Sequence, residues 1–162
     1  MWQDRDERYM RMAMEAAEEA ATAGEVPVGA VIVADDRVLA VTHNRCETDG
    51  LATAHAEILA INEASRLLGG WRLQRCTLYV TLEPCSMCMG AIVNARVGRV
   101  VFAARDARAG ACGSLLSLAA YPLEATPQVT EGVLAEESLA LLRAFFRERR
   151  AARNAESREN EK

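Results

Sequence analysis

No stretch of this chain is apolar for long enough to cross a membrane, since a span needs roughly 18 or more such residues in a row. The first residues lack the pattern of an export leader. Asp4, Asp6 and Glu7 stand beside Arg5 and Arg8 at the head of a charged helix pattern. The expected location is therefore the cytoplasm, with no membrane partner. An even cysteine complement is missing too: Cys46, Cys76, Cys85, Cys88 and Cys112 make five, which argues against a disulfide framework. Nor is there a repeat of about 20–50 residues, which excludes solenoids and propellers. Histidine is scarce, with only His43 and His55.

What is present fits a single globular domain. The chain has 162 residues, of which 51% are hydrophobic and 26% charged. We expect the domain to occupy 1–150, followed by a polar tail, 151–162, without large apolar groups and hence disordered. The net charge of −4 argues mildly against a polyanionic partner, but the charge is unevenly spread. Residues 1–81 carry 8 basic and 13 acidic side chains, and residues 82–162 carry 11 and 10. Arg143, Arg147, Arg149, Arg150 and Arg153 crowd one segment against Glu148 alone, and Arg96, Arg99, Arg105 and Arg108 form a second basic group. Either group is a solvated face or a set of phosphate contacts; only a neighbouring nucleotide site favours the second.

Helix and strand patterns alternate along the chain. Tyr9, Ala13, Ala16, Ala17 and Ala20 share one side of a helix predicted over 4–23, which Gly24 stops. Strand patterns over 28–33 and 37–41 flank Asp35-Asp36 as a hairpin. A loop over 42–53 leads to a helix over 54–68, ended by Gly69-Gly70. Strands over 77–82 and 99–103 enclose a helix over 86–95. A loop over 104–113, a short helix over 114–120 and a short strand over 128–130 precede a last helix, 135–150, with Leu139, Leu142, Phe145 and Phe146 as its apolar stripe. Cys76 opens a strand and reads as core; Cys46 and Cys112 fall in loops and receive no role. The alternation predicts an α/β sheet covered by helices, with a leading hairpin. Two parallel crossovers would bring the starts of the second and third helices to one end of the sheet, where helix dipoles favour thiolates.

Those helix starts carry the chemistry. One is Thr53-Ala54-His55-Ala56-Glu57, the other Glu83-Pro84-Cys85-Ser86-Met87-Cys88. A C-x-x-C pair alone fits a redox motif, half of a structural zinc site, or two core cysteines. Taken alone, His55 and His43 read as hydrogen-bonded histidines, and Glu57 as a carboxylate favoured by a helix N-terminus. Together, His55, Cys85 and Cys88 make three zinc ligands. Structural sites usually close with four protein ligands, whereas catalytic sites keep a position for water. A closed site would need Cys46, Cys76 or Cys112 as fourth ligand. The three-ligand reading leaves Glu57 as a proton carrier beside the water, and H-x-E…P-C-x-x-C is the signature of zinc nucleobase deaminases.

Pro27-Val28-Gly29-Ala30-Val31, His43-Asn44-Arg45, the two segments above, Leu78-Tyr79-Val80-Thr81-Leu82 and Ala104-Arg105-Asp106-Ala107 together resemble the bacterial tRNA-specific adenosine deaminases of the cytidine/deoxycytidylate deaminase superfamily. The resemblance runs from the first helix to Phe145-Phe146-Arg147. It implies a three-layer α-β-α cytidine deaminase-like fold with a central mixed sheet of about five strands. It also implies a homodimer with one Zn²⁺ per subunit and a tRNA anticodon stem-loop as partner. The implied activity is hydrolytic deamination of adenosine to inosine at the wobble position, by zinc-bound hydroxide with Glu57 as proton shuttle. By the same resemblance Asn44 hydrogen-bonds the base, the Glu83 backbone carbonyl lies near the leaving group and Val28 forms an apolar wall. Arg105 and Asp106 match a loop that touches the anticodon, and Arg149 and Arg150 are further RNA-contact candidates. The family's Asn-His pair before the last strand is missing from 121–127, a segment that shapes the RNA-facing rim. The alternative is a zinc deaminase of a free base or nucleoside such as guanine, cytosine or cytidine.

Overall fold

A computed structural model describes residues 2–160 of the chain. In chain order the elements are α1 (Trp2–Thr22), β1 (Gly29–Ala34), β2 (Arg37–His43), α2 (Cys46–Asp49) and α3 (Ala56–Leu68). They continue with β3 (Cys76–Leu82), α4 (Ser86–Asn94), β4 (Arg99–Ala104), a 3₁₀ turn (Leu118–Ala120), β5 (Gln128–Glu131) and α5 (Ala135–Glu159).

The strands form one mixed sheet in the order β2-β1-β3-β4-β5. β1 and β2 make the leading hairpin, whose two turn residues, Asp35 and Asp36, both have positive φ (48° and 62°). That conformation matches the right-handed twist of the strands, and aspartate tolerates it. β1 is antiparallel to both its neighbours, so β2 and β3 run the same way; β3, β4 and β5 are parallel. The connections β2–α3–β3 and β3–α4–β4 are therefore parallel crossovers, and α3 and α4 start at the same end of the sheet.

Period-two alternation splits the core into two layers. Ala30, Ile32, Leu78, Val80, Val100 and Phe102 face α3 and α4 and pack with Ala60, Ala64, Met89 and Ile92. Val31, Val33, Tyr79, Val101 and Ala103 face the other way, against Tyr9, Met10 and Ala13 of α1. The result is the expected three-layer arrangement. The alanines of α1 let it lie close on the sheet: a Cβ at Gly29 would fall 1.9 Å from the Ala13 carbonyl oxygen. Cys76 is buried in the α3/α4 layer, as its strand position predicts.

Four expectations need correction. The loop over 42–53 is shorter, because β2 continues to His43 and 46–49 close a single helical turn. The helix over 114–120 shrinks to the 3₁₀ turn, since the chain there folds back on itself: Gly113 and Leu115 donate to Leu116 and Gly110 carbonyls. On α5 the inward side is Ser138 and Leu142, while Phe146 is exposed. Finally, α5 does not stop near Arg150. It continues through the supposed tail to Glu159, with every side chain from 151 to 159 exposed. Alanine, arginine and glutamate are strong helix formers, so propensity extends a helix that packing has already nucleated. Residues 161–162 of that tail lie outside the described residues. Among the described residues, no helix is long and apolar enough to cross a membrane.

Candidate active site

His55 and Cys85 occupy equivalent positions, each the extended residue immediately before its helix (ψ 150° and 174°). Cys88 and Glu57 lie in the first turns that follow, so both pairs project from the positive ends of the helices. The start of α3 is tied to β2 by Thr42, whose hydroxyl donates to the Ala56 carbonyl at 2.7 Å. The start of α4 is held by Pro84, whose carbonyl accepts from Ala111 at 2.8 Å.

The two helix starts converge as their topology requires. His55 Nδ1 lies 3.7 Å from Cys85 Sγ and 3.5 Å from Cys88 Sγ. All three donor atoms are within 4.8 Å of one another, and among the described residues the group comprises only these three. A tetrahedral zinc with bonds of about 2.3 Å to sulfur and about 2.0–2.1 Å to nitrogen has S···N edges of about 3.6 Å. The donor set thus has the spacing and the soft chemistry that zinc requires. Cys85 is pushed down to about 4 by its hydrogen bonds with Cys88 and His55, which outweigh burial. Cys88 is driven up by the same bond to Cys85 and by its own burial. A bound cation would stabilise both thiolates and displace the remaining proton. Cys46, Cys76 and Cys112 stand outside the group, which removes the closed four-ligand alternative.

Beside the donors lies a cleft lined by Val28, Asn44, Glu57, Leu82, Glu83 and Asp106, among others. Burial pushes the Glu57 carboxyl up to about 7, against the pull of the His55 ring. Asn44 Oδ1 is buried without a hydrogen-bond partner in the protein, an arrangement that costs free energy unless a ligand donates to it. Val28 is buried and lines the same space. His43 takes the ordinary role foreseen for it, with Nδ1 2.8 Å from the Asn44 carbonyl oxygen.

Two buried carboxylates that motif reading did not single out for their side chains hold the loops around this cleft. Glu25 accepts from the backbone N–H groups of Glu47 (2.8 Å) and Thr48 (3.2 Å), anchoring the turn that follows Asn44. The Glu83 side chain accepts from the backbone of Asp106, Cys112 and Ser114 and from the Ser114 hydroxyl. Burial alone would raise its pKa, but these bonds hold it below the usual carboxylate range. Glu83 stands inside the motif but with a role foreseen only for its backbone carbonyl, and Glu25 carries no motif signal.

The arginines divide differently from the sequence grouping. Arg99 is locked to Asp6 by two bonds of 2.7–2.8 Å, Arg96 pairs with Glu124 at 2.8 Å, and Arg105 pairs with Glu131 at 2.7 Å. They do not make a second basic surface. Arg108 instead joins the α5 group, lining one groove with Arg143, Arg147 and Arg150. Arg149 lines an adjoining groove with Phe146, Arg150 and Arg153, 5.9 Å from the Phe145 ring and 3.8 Å from Glu47. Asp106 lines the cleft while its Oδ1 accepts from the Arg108 and Ala109 amides.

The chain matches the MafB19-like deaminase family over residues 4–150. It is 48% identical to the tRNA-specific adenosine deaminase of Bacillus subtilis (strain 168) over 151 residues, covering 93% of this chain and 94% of that one. Its structure superposes on a tRNA:A34 deaminase solved in a study of A-to-I editing at the wobble position, with a TM-score of 0.81 and 41% identity, covering 83% of this chain and 99% of that one. A guanine deaminase from Bacillus subtilis matches less well, with a TM-score of 0.59 and 42% identity over 61% of this chain and 64% of that one. The chain belongs to the MafB19-like deaminase family and to the tRNA-specific adenosine deaminases.

Proposed function

We propose that this protein deaminates adenosine to inosine at the wobble position of a tRNA anticodon, in the cytoplasm and as a homodimer. The observation that carries the reading is one cleft holding three convergent zinc donors, a buried carboxylate near 7 and an unsatisfied amide oxygen. His55, Cys85 and Cys88 would hold one zinc per subunit. Bound there, the metal supplies a Lewis acid that makes water a nucleophile near neutral pH.

The protein's own groups do the rest. Glu57, poised between its two protonation states, takes a proton from the attacking water and passes it to ring N1. It then carries the second water proton to the exocyclic nitrogen, so that adenine plus water becomes hypoxanthine plus ammonia. Asn44 hydrogen-bonds the base, and Val28 packs against the ring. The Glu83 backbone carbonyl accepts from the departing amine. Arg105 and Asp106 meet the anticodon loop. Arg149 and Arg150, with the Arg108–Arg143–Arg147 groove, meet its phosphates.

A target base must leave its stack to enter such a cleft, which favours a loop over a duplex. The test is ammonia release from an anticodon stem-loop with adenine at the wobble position, beside free adenosine, cytidine, cytosine and guanine. Turnover of the stem-loop, and little when the same sequence is locked in a duplex, is the expected result. The likeness to guanine deaminase supports a second reading, a free-base deaminase. Efficient turnover of guanine or cytosine with none on the stem-loop would establish that reading in place of the first.

A further inference from the structure

We propose that the side-chain carboxylate of Glu83 is a positioning residue that sets where the 105–114 loop, and with it Asp106, stands in the wall of the cleft. Its Oε2 accepts from the Asp106 backbone N–H at 3.0 Å and from the Ser114 hydroxyl. Its Oε1 accepts from the backbone N–H groups of Cys112 at 2.9 Å and Ser114 at 3.0 Å. A carboxylate has about four acceptor sites, so these donors fill it. The side chain has no capacity left for substrate, which separates its role from that of its own backbone carbonyl.

The loop is built around this one group. A Cβ at Gly110 would lie 2.4 Å from Glu83 Cδ and 2.5 Å from the Asp106 carbonyl oxygen, so only glycine lets the loop close over the carboxylate. Gly110 forms a bridge with Cys85, and Ala111 donates to Pro84 at 2.8 Å. The middle of the loop is thus stitched to the segment that supplies a zinc donor. The residues just before it, Asp106 and Ala109, stand in the cleft lining. Irregular segments keep a fixed position only where such tethers exist. Glu83 therefore couples the spacing of the wall to the spacing of the donors.

The substitution Glu83→Gln isolates this role. The Gln oxygen can still face Cys112 and Ser114, and the Ser114 hydroxyl can turn to donate elsewhere and accept from the new amide. The Asp106 N–H is then left facing another N–H. This inference rests on the editing reading only for the substrate used in the assay. In the full-length zinc-loaded protein, amide exchange at 105–114 should rise about 10-fold, the equivalent of one missing hydrogen bond to a charged group. Exchange elsewhere and zinc content should not change. On the stem-loop, KM should rise about 5- to 10-fold and by a larger factor than kcat falls, as when substrate positioning is impaired more than the chemistry. Ser114→Ala, which removes one donor and keeps the charge, should move both readouts the same way by less. Unchanged exchange at 105–114, or exchange raised evenly along the chain, would overturn the proposal. So would a loosened loop with KM unaltered. If the wild-type protein does not act on the stem-loop, the editing reading fails, and the exchange comparison still decides whether Glu83 holds the loop.

Discussion

Burial gives Glu57 its chemistry. In water its carboxyl would be ionised at neutral pH; desolvated in the cleft it lies near 7 and can both take and give a proton. Glu57→Gln keeps the shape and removes the proton traffic. Single-turnover deamination should fall by about 10²–10⁴-fold with zinc content unchanged. Cys88→Ala should instead lose the metal and the activity together, so metal analysis of the two variants separates proton transfer from metal binding. A Glu57→Gln enzyme within a few-fold of wild type would remove the shuttle role. Asn44 illustrates a limit at this scale. Its place in the cleft was foreseeable from the family motif, but its unsatisfied oxygen became visible only once the neighbouring segments were folded around it.

Between elements, the helix layer opposite the site is held by its apolar face and also by a largely buried ion pair. Asp6 on α1 meets Arg99 at the start of β4, and Tyr79 of β3 donates to the same carboxylate at 2.9 Å. Asp6 is 5% exposed, so neutralising it removes the carboxylate of a largely buried ion pair and weakens the bonds it accepts from Arg99 and Tyr79. Asp6→Asn should cost about 1.5–3 kcal/mol in urea unfolding near pH 7, the range for weakened hydrogen bonds to a charged group. Burial would raise the Asp6 pKa, but the bonds from Arg99 and Tyr79 win and hold it below the ordinary value. The sign follows. The carboxyl is more acidic folded than unfolded, so its contribution is complete above the unfolded carboxylate pKa. It is lost as pH falls through the folded value. Unfolding midpoints measured down this acid range should fall less steeply for the Asn variant; equal slopes would mean that the pair contributes nothing.

For the whole molecule, net charge is a poor guide to binding. The protein carries −4 overall, yet Arg108, Arg143, Arg147 and Arg150 line one groove. If this groove meets phosphates, replacing Arg147 and Arg150 with alanine should weaken stem-loop binding at low salt. The slope of log K against log salt should flatten by about 0.7 for each single-strand phosphate no longer neutralised. Zinc content should not change, and an unaltered slope would place the RNA elsewhere. Much of this architecture was legible beforehand. The alanine face of α1, the Asp-Asp hairpin and the alternating strands are features within single segments, and the candidate metal donors His55, Cys85 and Cys88 were readable because each lies at or within one turn of a helix start. Even their meeting followed from two parallel crossovers. The fate of Arg96, Arg99 and Arg105 was not legible, nor were the Glu25 and Glu83 anchors. Their partners stand 22 to 93 residues away along the chain. Periodicity and ligand spacing are properties of neighbours in sequence, whereas a buried charge is paired by whatever folding brings within about 3 Å, and only the tertiary structure decides that.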